Sequence, residues 1–122
     1  MGATVLRLRA DQIAVFKSEM RARFRLQMVE RVAQRFPELA KRHDQCWLQA
    51  FVDERIGWAE ARGIRRAGNI RRLLEFSAGY VDERSMLALP TWSRTLLEDP
   101  ELDESLKLTL VEDRECFGRN HP

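Results

Sequence analysis

The stretch from Asp11 to Phe36 contains neither glycine nor proline, and it constrains the fold more than any other part of the chain. At a rise of about 1.5 Å per residue, a helix over this stretch would be roughly 40 Å long. A compact domain of this chain length has a radius of gyration of roughly 14 Å, so one helix can cross the whole domain. Asp11 suits the N-cap of this helix, and Pro37 ends it at Phe36.

Apolar side chains recur at helical spacing on two sides of this predicted helix. The first stripe comprises Ile13, Phe16, Met20, Phe24 and Met28, and the second comprises Ala22, Leu26, Val29, Ala33 and Phe36. A helix that is apolar on two faces must cover both of them. It is therefore the central helix of a bundle, or it leaves one face for a partner. We expect the Ile13–Met20 end to be the part left for a partner, because it lies farthest from the Phe36–Pro37 turn.

Capping residues, glycines and prolines divide the rest of the chain into shorter helices. Gly63 is expected at the position just past the end of the second substantial helix, with Ile64 packing back on it. The predicted elements are a helical turn from Pro37, a helix Gln45–Arg62 capped by Asp44, a helix Ile70–Val81 capped by Asn69, a short helix Trp92–Leu97, and a helix from Glu104 to about Cys116, capped by Asp103 and stopped by Gly118.

These elements predict one all-α domain over residues 1–122, with no convincing hairpin. We expect a bundle of about five helices around the long N-terminal helix. Residues 1–9 are predicted to form a flexible, extended lead-in, and residues 119–122 a flexible polar tail.

Charge is distributed unevenly along the chain. Residues 1–72 carry 16 basic and 8 acidic side chains, whereas residues 73–122 carry 5 basic and 11 acidic ones. The acidic part can fold back and neutralise the basic part, or a basic face can serve an acidic partner or nucleic acid. Arginine, which suits bidentate pairing with carboxylates and phosphates, supplies 18 of the 21 basic residues.

No catalytic or metal-binding constellation is present in the sequence. His43 lies in a basic linker and His121 in the terminal tail, so neither falls on a predicted helix face. Cys46 and Cys116 are predicted to be buried thiols of a reduced cytoplasmic protein, and a disulfide between them is left open. We therefore expect no enzyme, no metal and no cofactor. No apolar run is long enough for a signal peptide or a membrane span.

The strongest basic cluster follows the second substantial helix and consists of Arg62, Arg65, Arg66, Arg71 and Arg72. The order of helix, short connection and helix is that of a helix–turn–helix, and Arg71 and Arg72 could reach phosphates from the second helix. The second helix has few residues suited to base edges, so a generic αα-hairpin is favoured. Trp58 lies off the main stripe of its helix, where it either packs across the helix end or anchors an interface.

With these features in place, the chain resembles small all-helical accessory proteins encoded beside bacterial type VI secretion spike, adaptor and toxin genes. The residues that carry the resemblance are Asp11-Gln12, Met28-Val29, Phe36-Pro37, Gly63-Ile64, Pro90 with Trp92, and Asp99-Pro100. The chain departs from the pattern where Thr91 separates Pro90 from Trp92. It also lacks a glycine-rich acidic turn after the third helix.

The resemblance implies a non-enzymatic accessory factor that binds a secreted effector or the adaptor chaperone carrying it. A toxin immunity protein is also compatible with such a neighbourhood, and a nucleic-acid-binding regulator using Arg62–Arg72 is the main alternative from charge. Self-association is left open. The predicted partner-binding residues are Ile13, Phe16, Met20, Trp58, Arg62, Arg65, Arg66, Arg71 and Arg72.

Overall fold

A computed structural model describes the backbone of residues 2–81 and 89–120, and the side chains of residues 18–81 and 89–116. Within these ranges the chain is helical and contains no strand, which confirms the all-α fold class. The helices are α1 (Gly2–Arg35), α2 (Pro37–Arg42), α3 (Gln45–Ala61), α4 (Ala67–Ala78), α5 (Thr91–Leu97) and α6 (Glu104–Asn120).

Helix α4 links the N-terminal helices to α6. This helix packs against α1, α3 and α6, while α1 packs against α2, α3 and α4, and α5 packs against α6. The predicted arrangement of the bundle around one long N-terminal helix is therefore not confirmed. Helix α1 also has its first residue at Gly2, so Asp11 lies inside the helix rather than at its N-cap, and an extended lead-in over residues 1–9 is not seen.

The two apolar stripes of α1 are buried only toward the end of the helix. Met28, Val29 and Val32 are buried in the main hydrophobic core. Earlier along α1, Met20 of the first stripe is 54% exposed and Leu26 of the second stripe is 60% exposed. Each stripe thus has an exposed apolar side chain before the buried part of the helix.

The predicted helix ends are confirmed at three places. The turn from α1 to α2 falls at Phe36, and Pro37 occupies the first position of α2. The Asp44 side chain caps α3, because its Oδ1 accepts a hydrogen bond of 2.8 Å from the Trp47 backbone N–H.

The end of α3 has the predicted glycine motif. Gly63 has a φ of +80°, and the backbone N–H of Ile64 donates to the carbonyl of Ala59 at 2.9 Å. This is the hydrogen-bond pattern of a Schellman motif, in which the residue after the glycine packs against the helix it closes. Ile64 is accordingly fully buried.

Helix α4 begins earlier than the sequence predicts, at Ala67, and ends at Ala78 rather than Val81. Its N-cap is Arg66, which makes no capping side-chain hydrogen bond, so the predicted cap Asn69 lies inside the helix. The backbone N–H groups just before this helix instead donate to a side chain of α6.

Two charged side chains of α6 hold the turn between α3 and α4. The buried Lys107 donates from Nζ to the carbonyl of Arg62 at 3.1 Å, at the end of α3. Glu104, one turn earlier on α6, accepts from the backbone N–H groups of Arg65 at 3.3 Å and Arg66 at 3.0 Å. A cation at a helix C-terminus and an anion at a helix N-terminus both complement the helix dipoles.

Asn69 extends this junction between α4 and α6. Its Nδ2 donates to Glu104 at 2.8 Å and to the Ser105 hydroxyl at 3.1 Å. Burial alone raises the pKa of Glu104, but the hydrogen bonds from Asn69, Arg66 and Arg65 and the charge of Arg66 outweigh it. As a result, the pKa of Glu104 is lower than the ordinary value of a glutamate side chain.

The C-terminal elements match the prediction at their starts. Helix α5 begins at Thr91 after Pro90, and the Ser105 N–H donates to Asp103 Oδ2 at 3.0 Å at the start of α6. Helix α6 continues through Gly118 to Asn120, so the predicted stop at Gly118 is wrong. A single glycine inside a helix costs only about 1 kcal/mol, and no proline follows until Pro122.

The positive φ of Gly63 predicts opposite effects for two glycine substitutions. A Cβ added at Gly63 or at Gly57, inside α3, meets no neighbouring atom within 4 Å, so backbone conformation alone decides. Gly63→Ala should lower the free energy of unfolding by about 1 kcal/mol, while Gly57→Ala should raise it by about 0.5–1 kcal/mol. Urea unfolding followed by tryptophan fluorescence measures both. Equal effects at the two positions would contradict the glycine motif.

The lowered pKa of Glu104 predicts a pH-dependent contribution to stability. This contribution is complete above the ordinary pKa of about 4.5 and is lost as the pH falls through the lower pKa of the folded state. At pH 7, Glu104→Gln should lower the free energy of unfolding by about 1 kcal/mol, because a neutral amide accepts weaker hydrogen bonds. The difference from the parent protein should shrink as the pH falls below about 4.5 and through the lowered pKa of Glu104.

The control for this experiment is Glu101→Gln, at an exposed position just before α6. We expect it to change the free energy of unfolding by less than about 0.5 kcal/mol, both at pH 7 and at acidic pH. A Glu104→Gln effect that is independent of pH would argue against a charged cap on α4.

Candidate functional site

An apolar groove lies where the exposed part of α1 passes α3 and α4, and we name it the α1–α4 groove. Its volume is about 370 Å³. The apolar lining residues are Met20 and Phe24 of α1, Ile56 of α3, and Ala67 and Ile70 of α4. Ile56 and Ile70 form a buried floor, whereas Met20 is half exposed at the edge.

Charged side chains form the rim of the α1–α4 groove. Three of the four are arginines, namely Arg21, Arg25 and Arg65, and the fourth is Glu60. Arg21 pairs with Glu60 at 2.6 Å, yet its side chain remains 55% exposed. The rim thus keeps cationic groups in contact with solvent around an apolar floor.

A second groove lies on the other side of the same part of α1, and we name it the α1–α3 groove. Its volume is about 260 Å³, and it is lined by Ala22, Arg25, Leu26, Val29, Gln49 and Asp53. Arg25 lines both grooves and pairs with Asp53 at 3.4 Å. Met20 and Leu26 are therefore exposed apolar side chains that line different grooves, and the two grooves share Arg25.

Trp58 and Arg62, both predicted to bind a partner, contact each other. The guanidinium carbon of Arg62 is 3.9 Å from the centroid of the Trp58 ring, and Arg62 Nη1 donates to the Trp58 carbonyl at 3.1 Å. Arg62 also pairs with Glu98 at 3.4 Å. Trp58 is partly buried against the core, so these contacts favour the reading in which it packs across the helix end.

Sequence reasoning missed the buried charge of Arg55 on the same helix. Its side chain is 1% exposed, and its guanidinium carbon lies 5.4 Å from the Trp58 ring and 6.0 Å from the Phe51 ring. Burial lowers the pKa of Arg55 from its ordinary value, opposed by the charge of Glu54 and reinforced by that of Arg62. The signal available in the sequence was its position between Val52 and Ala59 on the buried face of α3.

The predicted basic cluster is divided between structural and exposed arginines. Arg72 bridges α4 to α6, because its Nε pairs with Glu112 at 2.5 Å and its Nη2 donates to the Thr109 hydroxyl at 3.1 Å. Arg65, Arg66 and Arg71 have exposed side chains. The pairs Arg62–Glu98 and Arg72–Glu112 therefore offset the positive charge at both ends of the predicted basic cluster.

The remaining candidate residues are placed as follows. Ile13 and Phe16 lie outside the residues whose side chains the structure describes. Cys46 and Cys116 are exposed free thiols, so the prediction that both are buried is wrong: Cys46 projects to the solvent side of α3 while Trp47 packs against the core. His43, which precedes α3, stacks on Trp47 with 3.8 Å between ring centroids.

Comparisons of the chain with protein-family models, with curated proteins and with solved structures return no match. Among the residues that the structure describes, no group of three or more histidine, cysteine or acidic side chains could hold a metal ion. No helix in the described ranges has the length and apolar character needed to cross a membrane.

The division of the basic cluster predicts different effects for two adjacent arginines. Arg72→Gln removes the bridge to Glu112 and Thr109 and should lower the free energy of unfolding by about 1–2 kcal/mol. Arg71→Gln, its exposed neighbour, should change it by less than about 0.5 kcal/mol. Urea unfolding at pH 7 measures both, and a larger loss for Arg71→Gln would contradict the assignment of Arg72 as the structural residue.

Proposed function

We propose that the protein is a non-enzymatic protein-binding accessory factor whose partner docks over the α1–α4 groove. The observation that carries the proposal is the exposure of Met20 beside a groove with an apolar floor, on the part of α1 that precedes its buried residues. Exposed apolar surface rimmed by polar groups is typical of interaction sites. Burial of this surface by a partner would supply the binding affinity, while the arginines would set the orientation and the rate of association.

The resemblance noted in the sequence supplies the candidate partners. They are a secreted effector of a type VI secretion system or the adaptor chaperone that carries it, and the protein would act as a co-chaperone or adaptor in loading. An immunity protein would use the same kind of surface on a toxin. The division of the Arg62–Arg72 cluster by ion pairs favours a protein partner over nucleic acid.

The first test is binding to proteins encoded beside the gene, because the proposal names them as partners. The purified protein should form a complex with a co-expressed effector or adaptor chaperone, measured by size-exclusion chromatography and calorimetry. A photo-cross-linking amino acid at position 20 should attach that partner, whereas the same group at position 94, on the exposed side of α5, should not.

Two substitutions on α1 locate the interaction. Met20→Asp should weaken binding at least tenfold, because the complex would bury a charge and lose the contact of an apolar side chain. Leu26→Asp is the matched control, since Leu26 is equally exposed but lines the α1–α3 groove. It should change affinity by less than about threefold, and circular dichroism should show both variants folded.

The proposal is wrong if neither candidate partner binds, or if Leu26→Asp abolishes binding while Met20→Asp leaves it intact. Rescue of cells from a co-encoded toxin, with binding through position 20, would assign the immunity role instead of the loading role.

A further inference from the structure

The shape of the α1–α4 groove restricts the conformation of the segment that can dock there. Helices α1, α3 and α4 form most of its walls, with Arg65 contributed by the connection between α3 and α4, and the described residues offer no sheet edge to which an extended peptide could add a strand. Among the described residues that line it, Phe24 is the one aromatic side chain, whereas grooves that bind polyproline segments are lined by several aromatic side chains. An amphipathic helix, which places apolar side chains along one face, fits such a groove between helices.

The charges around the groove restrict the chemistry of that helix. Arg21, Arg25 and Arg65 outnumber Glu60 at the rim. Arg71 adds a further exposed cation on α4, four residues after the lining residue Ala67 and therefore on the same strip of the helix. Carboxylates on either side of an apolar face would meet arginines on both walls.

The existing ion pairs at the rim do not prevent such contacts. The side chains of Arg21 and Arg25 are 55% and 47% exposed in their pairs with Glu60 and Asp53. Exposed pairs of this kind contribute little to stability, so a partner carboxylate can exchange with them. The side chain of Arg65 is exposed, while its backbone N–H is bound to Glu104.

We infer that the α1–α4 groove binds an amphipathic helix of a partner protein whose apolar face is bordered by aspartate or glutamate. This inference rests on the proposed function, because it specifies the segment that occupies the same groove. It goes beyond that function by fixing the conformation and the charge of the partner segment.

The test uses two designed helical peptides of about 20 residues, labelled with fluorescein, with leucines at every third or fourth position. One carries glutamates beside the leucine face, and the other carries lysines at the same positions. Fluorescence anisotropy should show binding of the glutamate peptide in the micromolar range and at least tenfold weaker binding of the lysine peptide. Met20→Asp should weaken binding of the glutamate peptide by about tenfold.

A charge reversal on the protein provides the second arm. Arg65→Glu should weaken binding of the glutamate peptide by about fivefold and strengthen binding of the lysine peptide, because it reverses one rim charge. Arg94→Glu, at an exposed position on α5 outside the groove, is the matched control and should leave both affinities unchanged.

Three results would overturn the inference. They are equal binding of the two peptides, no binding of the glutamate peptide, and tighter binding of a single-stranded oligonucleotide that competes with the peptide and loses affinity steeply with salt. If a natural partner still cross-links at position 20 while the peptides bind equally, the inference fails and the proposed function stands. If nothing cross-links at position 20 either, both fail.

Discussion

The turn between α3 and α4 is held by two opposite charges that project from α6, and the described structure depends on this arrangement. Lys107 binds the backbone carbonyl of Arg62 at the end of α3, and Glu104 binds the backbone N–H groups of Arg65 and Arg66 just before α4. Each charge stands at the helix end whose dipole it complements. Because α4 also packs against α1 and α3, fixing the turn from α6 joins the two ends of the chain into one core.

This junction determines where the candidate site lies. Ile56 on α3 and Ile70 on α4 belong to helices whose relative orientation is set by the turn, and together they form the floor of the α1–α4 groove. The same turn places the exposed Arg65 side chain at the rim while its backbone binds Glu104. The arginines thus serve two purposes: Arg62 and Arg72 connect helices, and Arg65 stands where a partner could reach it.

Local signals in the sequence were sufficient for the all-α class and for most helix ends. The caps at Asp44 and Gly63 depend on residues close in sequence, and both are confirmed. The start of α4 was mispredicted because the backbone N–H groups just before it are bound by Glu104, which is 38 residues away from Arg66, rather than by a local side chain. The packing of α4 against α1, α3 and α6 and the burial of Arg55 also arise from tertiary packing, which periodicity alone does not specify.

The candidate site was predicted in part for the same reason. The doubled stripes of α1 indicated an exposed apolar end, and Met20 is exposed there. The role of Phe24, Ile56 and Ile70 in lining a groove follows only from how α1, α3 and α4 meet. The basic cluster was expected to act as one surface, and long-range pairing with Glu98 and Glu112 divides it.

Methyl NMR of isoleucine-labelled protein, titrated with the glutamate-bordered helical peptide, shows whether the α1–α4 groove is the docking site. The chain has four isoleucines, of which Ile56 and Ile70 line the α1–α4 groove and Ile64 is fully buried outside its lining. We predict that the methyl signals of Ile56 and Ile70 shift with a common affinity while that of Ile64 stays in place. Binding of the peptide that leaves Ile56 and Ile70 unchanged would contradict the assignment of this groove as the docking site.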